Sequence, residues 1–266
     1  MSLLEQVTNN YLTYTSFLLK IQKFYTHCLY ENPAALDYVL SRGISREYID
    51  FYKLGLSPGI SKLQAFLALN NLSDDFLRTL KVVLVSEGRS FDPLTDRIIF
   101  PLDDILGNTV GFSGRIWTRE QEVLYTAKAT PKYINTASSD IFAKSLLLYN
   151  LKEALPYIKQ EGYCIIVEGM MDAISFFIYG IRNVIAPCGT SFTDEHALLL
   201  KYATDKAIIL YDQDDAGNKS SFRVYETLTN HAIQTTIASL PIGDPDSFVR
   251  QYGKDTVLQH ISTSSP

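Results

Sequence analysis

Cysteine is scarce in this chain: Cys28, Cys164 and Cys188 are odd in number, far apart and set among apolar residues. That pattern argues against a disulfide framework and offers no Cys/His spacing for zinc, so all three read as buried thiols. Long apolar runs are missing as well. No stretch approaches the roughly 18–20 residues that a membrane helix needs, and MSLLEQVTNN lacks the basic and apolar regions of a secretory signal. The expected location is the cytoplasm, with no membrane partner. Basic residues are not in excess: 24 Lys and Arg face 29 Asp and Glu, and a net charge of −5 argues against a long basic surface for nucleic acid. Repeats and low-complexity segments are lacking apart from the polar STSSP. What remains is 46% hydrophobic and 12% aromatic over 266 residues, enough for a substantial core and about two domains.

The acidity is local. Residues 161 to 250 hold 12 Asp and Glu against 6 Lys and Arg, so this segment carries −6 and the rest of the chain +1. Within it, three acidic pairs each follow a short apolar run: Glu168 and Asp172 after YCIIV, Asp212 and Asp214 after KAIILY, Asp244 and Asp246 after TTIASLPIG. The first run reads as a buried strand, and Gly169 turns the chain at once into the helix MMDAISFFIY. Glu168 then sits on the strand tip and Asp172 in the helix's first turn. Carboxylates crowded at one sheet edge stay ionised together only with positive charge between them, and an oxygen-only ligand set suits Mg²⁺ or Mn²⁺. The chemistry this suggests is phosphoryl transfer.

Two textures divide the chain. Residues 3–30 and 33–50 read as helices, with Leu18, Ile21, Phe24, Tyr25 and Cys28 at spacings of three and four and Pro33 opening the second. From Asp96 to Gly114, RIIFPL and TVGFSG around Gly107-Asn108 read as a hairpin. Residues 118–131 lack periodicity and read as an exposed loop. Beyond Pro156, strand and helix alternate: CIIV, NVIAP, KAIILY and TTIASLP each lead into a helical stretch. Parallel strands with right-handed crossovers follow, hence a small Rossmann-like α/β sheet whose ligands lie beyond the strands' carboxyl ends. Glu168, Gly189-Thr190, Asp212 and Asp244 fall there. The expected organisation is a mixed α/β subdomain over 1–155, a mostly parallel α/β domain over 156–258 and a tail over 259–266.

Plainer readings stand beside these. Asp212 and Asp214 also suit a solvated turn, and Asp244 and Asp246 a helix start, because Asp caps well and Pro fits the first turn. Gly189-Thr190 reads equally as a turn and cap. Arg115 and Lys132 sit in glycine- and proline-flanked settings that favour phosphate contact, with the glycines giving close approach. His27, His196, His231 and His260 lie mostly in helical contexts without ligand spacing and read as structural or solvated.

In order along the chain, YVLSRGISREYIDFYKLGLSP, RIIFPLDDILGNTVGFSGR, PKYINTASSDIF, KSLLLYNLKEA, VEGMMDAI, APCGTSFT, YDQDDAG and GDPDSFVRQYG resemble the motifs of the DnaG-type DNA primase catalytic core. Glu168 and Asp212-Gln213-Asp214 resemble the marks of its TOPRIM domain. The resemblance spans roughly residues 17 to 258. It implies template-directed synthesis of RNA primers from ribonucleoside triphosphates, with two or more Mg²⁺ or Mn²⁺ ions held by Glu168, Asp172, Asp212, Asp214, Asp244 and Asp246. It also implies nucleotide or nucleic-acid contacts at Arg42, Arg97, Arg115, Lys132, Asn135, Lys144, Gly189 and Thr190.

The chain departs from the family pattern in three ways. FDPLTDR replaces an arginine-rich run and keeps only Arg97; no Cys/His zinc ribbon precedes the core; and no helicase-binding domain follows the last motif. These departures fit either an excised fragment or a minimal core of bacterial, phage or mobile-element origin. The expected partners are single-stranded DNA, ribonucleotides and either a replicative helicase or a separate zinc-bearing module. Two other readings remain open: a TOPRIM nuclease or phosphodiesterase, and a non-catalytic module that binds nucleic acid or regulates a replisome.

Overall fold

Helix α1 (Leu3–Tyr30) buries Leu18, Ile21 and Tyr25 against Leu63, Leu67, Ile99 and Phe112, the stripe that its spacing predicts. It lies tightly on β1 (Gly55–Leu56). A Cβ at Gly55 would fall 2.6 Å from Tyr25 Cβ and 2.7 Å from its carbonyl carbon, so this approach requires glycine. The computed structural model describes residues 3–71, 78–127, 131–189 and 191–263, in two units, Met1–Ala143 and Lys144–Pro266.

In the first unit β1, β4 (Ile98–Asp103), β5 (Thr109–Arg115) and β6 (Tyr133–Asn135) form an antiparallel sheet in that order. A separate hairpin pairs β2 (Leu84–Ser86) with β3 (Arg89–Phe91). The β4–β5 hairpin is the one expected between Asp96 and Gly114; Gly107 takes φ +87° and Asp104 Oδ1 accepts from the Leu106 and Asn108 N–H groups. The helix expected over 33–50 is instead two, α2 (Pro33–Ser41) and α3 (Arg46–Phe51). Gly43 at φ +82° ends the first, and Ser45 Oγ accepts from Tyr48 N–H to start the second. Helix α4 covers Ile60–Leu69.

The loop expected over 118–131 is largely helix α5 (Arg119–Ala127); residues 128–130 lie outside the described residues. Its start is a reciprocal cap. Gln121 N–H donates to Thr118 Oγ, while Gln121 Oε1 accepts from the Trp117 and Thr118 N–H groups. Val123, at the centre of α5, is exposed.

In the second unit β7 (Leu148–Tyr149), β8 (Cys164–Val167), β9 (Val184–Pro187), β10 (Lys206–Leu210) and β11 (Gln234–Ile237) form one sheet in the order β11-β10-β8-β9-β7. All neighbours are parallel except the short edge strand β7, antiparallel to β9. The expected α/β architecture is present: an antiparallel-sheet unit followed by a mostly parallel one. Its crossovers are α7 (Met170–Ile178), α8 (Asp194–Lys201) and α9 (Asp215–Asn230), preceded by α6 (Leu151–Glu161), which runs through Pro156, and followed by α10 (Pro245–Thr263), which breaks at Gly253. Every residue of β8 and β9 is buried, so both strands are continuous apolar runs rather than alternating ones. Among the described residues, no helix is long and apolar enough to cross a membrane.

Candidate active site

Acidic residues follow three strands of the second unit, closely after two of them and at the end of a longer turn after the third. Glu168 follows β8, Asp212 and Asp214 follow β10, and Asp244 lies between β11 and α10. Each turn into a helix is built locally. Asp214 caps α9, with its Oδ1 accepting from Gly217 N–H at 2.7 Å, and Asp244 does the same for α10 through Ser247 N–H at 2.8 Å. The helix-start reading of Asp244 is thus correct as far as it goes. At α7 the cap is inverted: Asp172 Oδ2 accepts from the Gly169 N–H at 3.0 Å.

The carboxylates press on one another electrostatically. Burial raises the Glu168 carboxyl, with Asp212 and Asp214 adding to the rise and the Asp212 backbone N–H opposing it. Asp172 is pushed up to about 8, first by burial and then by Asp212, Asp246 and Asp244. A divalent cation would relieve this repulsion, and the all-oxygen donor set suits Mg²⁺ or Mn²⁺. Among the described residues, however, no three or more His, Cys, Asp or Glu side chains are arranged to hold an ion as they stand.

The six candidates divide. Glu168, Asp214 and Asp244 are exposed and Asp212 is partly so, which fits them to receive a cation. Asp172, partly buried, and Asp246, buried, are held by the protein's own hydrogen bonds. Asp172 Oδ1 accepts from Asp246 N–H at 3.1 Å, and the Asp246 side chain is buried, its Oδ1 accepting from Ser175 Oγ at 2.5 Å and Arg250 Nε at 3.0 Å.

Gly189 takes φ +70° after β9, while Thr190 lies outside the described residues. Lys144 stands close enough to Cys188, just past β9, to pull its thiol down against the larger upward push of burial. Lys144 is placed by its backbone: its carbonyl accepts from His196 Nε2 at 3.0 Å, and the neighbouring Ser145 carbonyl accepts from Thr193 Oγ at 3.1 Å. His196 is structural, as its context predicts.

In the first unit the basic candidates gather on the sheet's β4–β6 side. Arg97 is buried, and its guanidinium donates to the carbonyls of Gly114, Lys132 and Pro131. Arg115 is buried too, donating to the Ile116 carbonyl and lying 5.4 Å from the Tyr38 ring centroid and 5.8 Å from that of Tyr133. Arg42, one helical turn beyond Tyr38, and Asn135 are partly buried, and Lys132 is exposed. The glycines beside Arg115 are closely packed. A Cβ at Gly114 would meet Arg97 Cδ at 2.9 Å, and one at Gly111 would meet Thr136 Oγ1 at 2.9 Å, so both make room for neighbouring side chains. Residues overlooked in the sequence are Ser175, Arg250 and the ring pair Tyr38 and Tyr133. Arg250 alone left a trace there, at i+4 from Asp246 in a helix.

The chain matches the family model described as "DNA primase catalytic core, N-terminal domain" over residues 24–155 and the one described as "Toprim-like" over 165–249. Fold and site together define a Toprim-bearing α/β protein. A DNA primase of Aquifex aeolicus is 36% identical over 98% of this chain and 51% of its own length. The crystal structure of the zinc-binding and RNA polymerase domains of Aquifex aeolicus primase superposes with a TM-score of 0.85 at 36% identity, over 95% of this chain and 61% of that one. A DnaG primase catalytic domain bound to single-stranded DNA gives 0.82 at 30% identity, over 98% of this chain and 83% of that one. This chain belongs to the family of DnaG-type DNA primase catalytic cores. It spans about half the length, or less, of the curated primases it matches.

Proposed function

We propose that this chain synthesises RNA primers on single-stranded DNA from ribonucleoside triphosphates. The observation that carries the reading is the row of carboxylates at the ends of β8, β10 and β11 in a chain of this family. Glu168, Asp212, Asp214 and Asp244 would hold Mg²⁺ or Mn²⁺. The chemistry that bound divalent ions supply is activation of the primer 3′-hydroxyl and neutralisation of the departing pyrophosphate. Lys132, Lys144 and Arg42 offer charge to the triphosphate or the template backbone, with Asn135, Gly189 and Thr190 as further contacts. Arg97 and Arg115 act from beneath, the first fixing the Gly114 and Lys132 backbone and the second ordering the Tyr38 and Tyr133 rings. A replicative helicase or a separate zinc-bearing polypeptide would raise the local template concentration for a chain whose net charge is −5.

The test is incubation of the purified protein with single-stranded DNA, labelled ribonucleotides and Mg²⁺ or Mn²⁺. RNA oligomers are expected from the wild type and none from Asp212→Asn, which removes a ligand charge without removing volume and should melt like the wild type. DNA degradation in place of synthesis would reassign the site to a nuclease. Synthesis undiminished in Asp212→Asn would overturn the metal assignment.

A further inference from the structure

Arg250 lies in the GDPDSFVRQYG segment but is none of its acidic residues; it sits on α10 one turn after Asp246. Its Nε donates to Asp246 Oδ1 at 3.0 Å, and Ser175 Oγ, reaching from α7, donates to the same oxygen at 2.5 Å. The Asp246 side chain is 2% exposed and that of Arg250 26%. A carboxylate so deeply buried needs hydrogen-bond partners of this kind. The backbone of Asp246 does something different: its N–H donates to Asp172 Oδ1 at 3.1 Å, while Gly169 N–H holds Asp172 Oδ2 at 3.0 Å. Asp172 is therefore clasped from both sides, by the start of α7 and by the start of α10. The start of α10 is held by the Asp244 cap on Ser247 N–H and, through the Asp246 side chain, by Arg250 and Ser175. That segment also carries Asp244, and Glu168 immediately precedes Gly169.

We propose that Arg250 is a positioning residue of the acidic site: through Asp246 it sets the turn that presents Asp244 and the N–H that orients Asp172, and so prepares the site for a divalent cation. The inference rests on the metal-dependent reading given above. It also gives Asp246 a role other than ligand, because the side chain belongs to the clamp. Arg250 and Ser175 then stand to the metal as outer hydrogen-bond partners do in other metal sites, where their loss weakens binding by roughly 10- to 100-fold.

The experiment measures Mn²⁺ binding by the free-Mn²⁺ electron paramagnetic resonance signal, without nucleotide or DNA, alongside thermal melting. Arg250→Met, which keeps the aliphatic stem, should bind Mn²⁺ at least about tenfold more weakly while folded. Arg250→Lys should recover part of the loss, because a point charge reaches Asp246 without the guanidinium's fixed geometry. Asp246→Asn should weaken binding too, and adding Arg250→Met to it should cost little more, since both act through one contact. Affinity within twofold of wild type in folded Arg250→Met, or losses that multiply in the double variant, would overturn the proposal. If Arg250→Met does not fold, Ser175→Ala replaces it, and unchanged Mn²⁺ affinity there has the same force. A wild type that binds no Mn²⁺ would sink the metal reading itself, whereas wild-type binding unaffected by the variants sinks the clamp alone.

Discussion

The backbone carbonyl of Asp212 occupies the space into which a Cβ on Gly217 would project, with the carbonyl carbon 3.0 Å from that position and its oxygen nearer still. The first turn of α9 is thus pressed against the residue at the centre of the acidic edge. Gly217 makes the turn possible through its lack of a side chain, and Asp214 secures it by capping the Gly217 N–H.

Gly217→Ala should displace Asp212 before it unfolds the protein. The expected cost is about 1–3 kcal/mol, as for other overpacked sites, with primer synthesis falling by about tenfold or more as the carboxylate shifts. Urea unfolding measured beside primer yield checks this. Wild-type synthesis in a destabilised variant would show that the contact serves stability only.

The raised carboxyl of Asp172 gives the metal-free protein a particular pH profile. With its ordinary value near 3.8 and the folded value near 8, the folded chain keeps a proton that the unfolded chain releases. This contribution to stability is complete below about pH 4 and is lost as the pH rises through about 8. Asp172→Asn cannot titrate, so relative to wild type it should gain at least about 1 kcal/mol between about pH 5 and pH 8. Denaturation in the presence of a chelator measures the difference. Parallel curves for the two proteins would refute the buried, proton-holding state.

The buried and exposed cations of the first unit should separate cleanly. Arg97→Met strips a donor from three carbonyls and should cost about 3 kcal/mol. Lys132→Ala should change stability by no more than about 0.5 kcal/mol while raising the apparent KM for ribonucleotides about tenfold. Arg115→Lys should impair synthesis through the rings, since an ammonium does not reproduce the planar contact with Tyr38 and Tyr133. Melting curves and nucleotide titrations together decide all three.

How much was legible in the sequence depended on whether the cause was local. CIIV and VIAP are apolar because both faces of a parallel sheet are covered there, and the alternation of such runs and KAIIL with helices was enough to place Glu168 and Asp212 just beyond strand ends. The edge strand β7 escaped notice because two residues carry no pattern, and α5 because its start rests on Thr118 and Gln121 rather than on an apolar face. The division of the acidic residues was hidden for another reason. Asp246 looks like Asp214 in sequence, each close to a helix start, and only the meeting of α7 with α10 turns it inward to Ser175 and Arg250. The burial of Arg97 and Arg115 was equally hidden, since nothing in RIIFPL or GFSGR announces that either guanidinium lies inside the unit.

His196 accepts the Thr193 N–H on Nδ1 at 3.1 Å and so carries its proton on Nε2, which donates to the Lys144 carbonyl. Burial lowers its pKa, with the Lys144 and Leu147 backbone opposing, which favours the neutral ring in this one tautomer. Lys144 thereby has its address written in the main chain. Whatever residue occupies position 144 inherits the same anchorage, because nothing in the attachment consults the side chain. Arginine, glutamine or a non-natural cation could be installed at position 144 without rebuilding the turn that presents it.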